Sequence, residues 1–181
     1  MANQDAAFGF KPSRSLVGGS IRNNVYKIAA NYGTSIFSGQ TVEAVAAGGI
    51  EAAAAGDTQQ LGVFGGVQYT DPTSGKPTFK PFYSASTNAS DLEAIVYDDP
   101  QLIFEVQHDG TGTAAMNFSA FDFTGVAGST ISGQSTQELD TSTSGTGGGF
   151  KQLSIVTDPS NDDTSSANAN AFVAFNTGEH V

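Results

Sequence analysis

The chain has 181 residues, 18 acidic against 7 basic for a net charge of −11, and it contains neither cysteine nor tryptophan. The lack of cysteine excludes disulfide staples, thiolate nucleophiles and Cys-based zinc sites together, and the acidic excess argues against wrapping nucleic acid, which needs clustered Lys and Arg. At this length one domain buries roughly 70% of its unfolded surface, and 22 Gly, 13 Phe and only 14% charged residues point to a turn-rich β frame around an aromatic core.

Residues 1–20 read as an extended arm. Phe8 and Phe10 flank Gly9, and Pro12 holds its own φ and biases Lys11 toward extended backbone. Two readings of this stretch stand: an arm that adds to a neighbour, with Lys11 and Arg14 reaching its carboxylates, or an edge strand whose two Phe plug the protein's own core. This stretch holds no apolar leader core, and no segment approaches the roughly 20 apolar residues of a membrane span, so a soluble chain made in a cytoplasm is expected.

Alternation over 24–30 predicts a strand, with a turn at Asn31, Tyr32 and Gly33. The stretch 39–71, GQTVEAVAAGGIEAAAAGDTQQLGVFGGVQYTD, is the frame of the chain. It predicts a hairpin turning at Gly48-Gly49, a reversal at Gly56-Asp57, and an apolar strand whose Gly65-Gly66 pair marks a bulge or a close backbone approach. A helix over the alanines would carry two glycines at about 1 kcal/mol each, so the hairpin is preferred.

Residues 70–92 hold three prolines and read as a long excursion. Phe79, Phe82 and Tyr83 are its expected anchors; the competing reading is an exposed aromatic patch with Lys76 and Lys80. EAIVYDDPQLIFEVQ (93–107) gives two strands around a turn at Asp98-Asp99-Pro100, and MNFSAFDF (116–123) a further one. Residues 125–149 are rich in Gly, Ser and Thr and read as a surface loop or mobile segment; 150–156 and 170–176 are closing strands. The expectation is all-β: a small β-barrel or β-sandwich with an extended N-terminal arm (1–20) and one β-rich domain (21–181) carrying long Gly/Ser-rich loops at 70–92 and 125–149.

Charge is segregated. Residues 1–30 carry Lys11, Arg14, Arg22 and Lys27 against Asp5, whereas thirteen acidic residues from Asp91 onward face Lys151 alone. No catalytic constellation emerges. The serines lie in turns without a GxSxG elbow, and His108 and His180 sit at a strand end and beside the last residue, where surface histidines are expected. SGKP and GTGGGFK lack phosphate-loop spacing. Asp98-Asp99 and Asp162-Asp163 are the only paired carboxylates that tempt a calcium or glycosidase reading, and neither follows an EF-hand pattern. No catalytic residue, metal or cofactor is expected, and no enzyme.

The opening ANQDAAFGFKPSRSLVGG, the hairpin phrase GQTVEAV…GGI…LGVFGGVQYTD and the closing NAFVAFN…EH resemble small virion proteins of tailed bacteriophages, of the marine and cyanophage type. That family is similar to capsid decoration, or cement, proteins. The resemblance implies a β-rich subunit on the capsid exterior, often a homotrimer, that clamps neighbouring major capsid subunits and binds neither nucleic acid nor membrane. Phe8, Phe10, Lys11 and Arg14 are then the expected capsid contacts. A receptor-binding or tail-associated module for host surface glycans is the alternative, and a carbohydrate-active enzyme a third reading.

Overall fold

The computed structural model describes residues 2–57, 60–125, 128–145 and 147–176. Their strands, in chain order, are β1 (Lys11–Ser15), β2 (Asn24–Lys27), β3 (Ile36–Phe37), β4 (Thr41–Val45), β5 (Gly49–Ala52), β6 (Gly62–Thr70), β7 (Pro77–Lys80) and β8 (Phe82–Tyr83). Then follow β9 (Glu93–Tyr97), β10 (Leu102–Gln107), β11 (Ala120–Phe121), β12 (Phe123–Thr124), β13 (Glu138–Leu139), β14 (Phe150–Ile155) and β15 (Asn170–Phe175). Two single-turn 3-10 segments, Ala114–Met116 and Thr141–Thr143, are the helical content of the described residues. The chain is all-β, as its composition implied.

Two antiparallel sheets carry the architecture. One has the order β1-β10-β15-β14-β11; the other runs β2-β9-β6-β4-β5, with β7 on the far half of β6. Neither closes into a barrel, although Ile28 beyond β2 makes a single bridge to Ile50 on β5. Period-two patterning decides which faces meet. Leu102, Phe104 and Val106 of β10 and Ala171 and Val173 of β15 point into one core with Phe10, Phe121, Phe123 and Phe150, while Val42, Ile50, Phe64, Val67, Ala94 and Val96 fill a second with Tyr83 and Leu92.

The hairpin forms, but its turn lies one residue earlier than the glycine pair suggested. Val45 pairs with Gly49, leaving the three-residue connection Ala46–Gly48 with Gly48 at φ +85°, the arrangement in which a left-handed third residue closes a three-residue loop. Gly49 serves a different need: a Cβ there would lie 2.7 Å from the Lys27 carbonyl oxygen. At Gly65-Gly66 the ladder to β9 shifts register between Phe64 and Gly66, the expected bulge, and the Phe79 ring lies against Gly66.

Three expectations are corrected. Residues 70–92 are not one irregular excursion, because β7 pairs with β6 and β8 with β3. Tyr83 is buried and Phe82 stacks on Phe37 at 5.7 Å, so of the three aromatics only Phe79 faces solvent. The 116–123 strand breaks at Phe118, exposed at φ +68°, and restarts as β11 and β12. In the described part of 125–149, β13 pairs with β12 and Ser135, Gln137 and Leu139 are buried. Gln137 Oε1 accepts the Thr41 backbone N–H at 2.8 Å, so a polar side chain ties this segment to the start of the hairpin where an apolar pattern was sought.

Candidate functional site

The four residues expected to contact a partner are divided by the structure. Phe10 is fully buried, stacked on Phe150 at 4.1 Å between ring centroids and edge-on to Phe104 and Phe123 at 6.5 and 6.4 Å. Its side chain is a core element and is not available as an anchor, which corrects that expectation. Phe8 is half-buried in the wall of a slot, while Lys11 and Arg14 stand exposed on β1. Lys11 Nζ lies 3.9 Å from Glu105, and the Arg14 guanidinium sits 4.6 Å from the centre of the Phe172 ring.

Nor do the first residues form a free arm. Asn3 Nδ2 donates to the Asp163 and Ala167 carbonyls at 2.9 and 2.8 Å. The Ala6 N–H donates to Gln107 Oε1 at 2.9 Å, and Gln107 Nε2 and Asn161 Nδ2 both donate to the Gln4 carbonyl. The chain is thus stitched along the loop before β15, enters the core at Phe10 and continues as β1, an edge strand paired to β10. Phe10 realises the second of the two readings of this stretch.

What remains open is an edge. β1 ends one sheet and β2 ends the other, and residues 16–23 join them. Leu16 and Val17 are 58% and 71% exposed, and Ile21 and Val25 are also exposed. Arg14 and Arg22 flank them. Edge strands ordinarily resist pairing through proline, bulges and charge; β1 has Pro12, an irregularity between Pro12 and Arg14, and two cations. Exposed Leu16 and Val17 work in the opposite sense, since solvent-facing aliphatic side chains beside an unpaired edge invite a partner.

Two concavities open beside this edge. A slot of about 270 Å³ is walled by Phe8, Phe10, Pro12, Phe64 and Tyr97, with Lys11 and Glu105 among its polar lining. A polar cleft of about 650 Å³ lies between the 15–24 segment and the β9–β10 turn. There Asp98, nearly buried, accepts from Asn24 Nδ2 at 2.8 Å and the Tyr26 hydroxyl at 2.6 Å. Burial first, and the Asp98 carboxylate second, push the Tyr26 hydroxyl up to about 12. Residues 16–23 show no period of their own in the sequence; their signal is the apolar Leu16-Val17 pair before Gly18-Gly19.

The chemical candidates resolve into local roles. Asp99 accepts the Gln101 N–H and Asp163 the Ser165 N–H, each a turn bond to a residue two positions on. Among the described residues no group of three His, Asp or Glu is placed to hold a metal ion, and no helix is long and apolar enough to cross a membrane. His108, expected at the surface, is fully buried against the Phe121 ring, and neither ring nitrogen reaches a partner at hydrogen-bond geometry. Burial pushes its pKa below the ordinary value, opposed by Gln152 and Asp109. His180 lies outside the described residues. Comparison of the chain with family models, with curated proteins and with solved structures returned no match.

Proposed function

We propose that this protein is a structural virion component that binds the outside of a phage capsid and stabilises contacts between major capsid subunits, acting as a homotrimer. The opening, hairpin and closing phrases resemble decoration proteins, and the observation that carries the reading to a surface is the open edge from Lys11 to Lys27. Its basic and aliphatic side chains contrast with the acidic remainder of the chain. An acidic patch on a capsid subunit would meet Arg14 and Arg22, Leu16 and Val17 would supply the desolvated centre, and Lys11 and Phe8 would border it. Modest contacts suffice in a trimer, because linked engagement raises avidity by about 10² to 10⁴.

The experiment is co-sedimentation of the purified protein with empty heads of the encoding phage, alongside its mass in solution. Saturable binding at a fixed ratio to capsid subunits is expected, weakening as salt shortens the Debye length from about 10 Å at 0.1 M to about 3 Å at 1 M. Arg14→Glu with Leu16→Asp and Val17→Asp should abolish it while the circular dichroism spectrum stays unchanged. Failure of the parent protein to bind, or undiminished binding by the triple variant, overturns the proposal. Truncation of residues 1–16 is a poor test, since it removes Phe10 from the core.

A further inference from the structure

Directly paired residues of neighbouring antiparallel strands share a sheet face. On the outer face of the second sheet this rule aligns Lys27, Glu93, Gln68 and Phe79, from β2, β9, β6 and β7. The polar part of the row is bonded along its length: Lys27 Nζ donates to Glu93 Oε1 at 2.8 Å, and Gln68 Nε2 to Glu93 Oε2 at 2.9 Å. Phe79 ends the row with 58% of its surface exposed. Its ring rests where the side chain of residue 66 would be, since a Cβ on Gly66 would come within 2.7 Å of it. An open cleft of about 520 Å³ lies beside the row, lined by Gln68, Tyr69, Thr70, Phe79, Asp91 and Glu93. Asp91 is held there by the Thr70 N–H, which donates to Oδ2 at 2.9 Å.

We propose that this cleft binds a neutral oligosaccharide, one pyranose ring packing its C–H face on Phe79 while its hydroxyls bond to Gln68, Glu93 and Asp91. A pyranose presents an apolar face and a girdle of hydroxyls that both donate and accept. Its complement is a flat apolar plate beside acceptors already fixed in place. Here the carboxylates and the amide are held by one another and by the backbone, so little side-chain freedom is lost on binding. Charge narrows the class: Asp91 and Glu93 outweigh Lys27, which disfavours uronic and sialic acid sugars. A cationic peptide fits less well, because Lys27 already pairs with Glu93 and Asp91 is bonded to the backbone.

The test is a titration of the full ¹⁵N-labelled chain with maltohexaose, cellohexaose and mannohexaose, with an oligogalacturonate as anionic control. At least one neutral sugar at millimolar concentration should give saturable shifts centred on Gln68, Thr70, Phe79 and Glu93. Phe79→Leu, which keeps an apolar cover on Gly66 but removes the flat ring, should lower affinity at least tenfold, about 1.4 kcal/mol, with the remaining amide positions unchanged. Absence of shifts with every neutral sugar, tighter binding of the anionic one, shifts centred elsewhere, or full affinity in Phe79→Leu overturns it. Since β7 is no part of the open edge, Phe79→Leu should co-sediment with heads like the parent, which keeps this proposal separable from capsid binding.

Discussion

Replacing Phe10 by alanine tests whether the N-terminal segment belongs to the fold. The ring is fully buried and touches three other phenylalanines, one stacked and two edge-on. Truncating a buried Phe costs about 3–5 kcal/mol through lost transfer energy and the cavity left behind. Each aromatic pair contributes about 0.5–1.5 kcal/mol beyond its area, which places this site toward the upper part of that range. Against a total stability of about 5–15 kcal/mol for a domain, that is a large fraction. Urea unfolding followed by fluorescence and circular dichroism should show the midpoint falling with the slope unchanged, the signature of lost stability without a change in the surface exposed. A residue on a free arm would shift stability by no more than about 0.5 kcal/mol. A measured loss below about 1 kcal/mol would refute the placement of Phe10 and restore the arm.

The other predictions follow from single contacts. Gly49→Ala drives a Cβ toward the Lys27 carbonyl oxygen, and backbone cannot yield as a side chain can; a loss of about 1–3 kcal/mol is expected in the same urea assay. Gln107→Ala removes the amide that accepts from Ala6 and donates to Gln4, so amide hydrogen exchange at residues 4–8 should accelerate while the β10–β15 ladder stays protected. Glu138 is pushed up to about 6 by burial and then by Asp5 and Asp109. Its contribution is therefore fully present below its ordinary value of 4.5 and lost as pH rises through about 6. The Tm of Glu138→Gln relative to the parent should rise between pH 4.5 and 7. His108, lowered by burial, acts in the other direction: its contribution is present above 6.5 and lost as pH falls. Thermal melts of His108→Leu should accordingly show a weaker decline below pH 6.5 than the parent.

The regular strands were legible because their residues alternate or form short apolar runs. β2, β4, β5, β9 and β10 fall where alternation placed strands, and β6, β14 and β15 where short apolar runs did. Short elements were less so: β8 and β13 are two residues each, too short for any period to show, and β11 and β12 are the broken remnant of the one strand expected over 116–123. They form because tertiary partners supply what local pattern does not, as when Gln137 bonds to Thr41 across the fold. Phe10 illustrates a second limit. Its spacing from Phe8 suggested that both rings share a side, yet only Phe10 reaches the core, since Gly9 at φ +74° turns the chain between them. The row proposed to bind a saccharide was visible only at Phe79, because Lys27, Gln68 and Glu93 become its neighbours only through strand register.

The stitched N-terminal segment also bears on how such a surface would bind. A free 20-residue arm would lose about 1–2 kcal/mol of backbone entropy for each residue ordered on docking, and that loss would weaken every contact it made. Here Asn3, Gln4, Ala6 and Phe10 are already fixed by Asp163 and Ala167, Gln107, Asn161 and the Phe cluster, so the ordering occurs when the chain folds. Arg14, Leu16 and Val17 are then carried at the end of a strand held in register with β10 rather than on a tether. Preorganisation of this kind favours a partner with a matching rigid surface and penalises one that must be wrapped. It leads to an expectation opposite to that for an arm: loosening the segment with Gln107→Ala should weaken capsid binding even though Gln107 is buried and touches no partner, and undiminished co-sedimentation of that variant would show that the edge does not depend on the stitching.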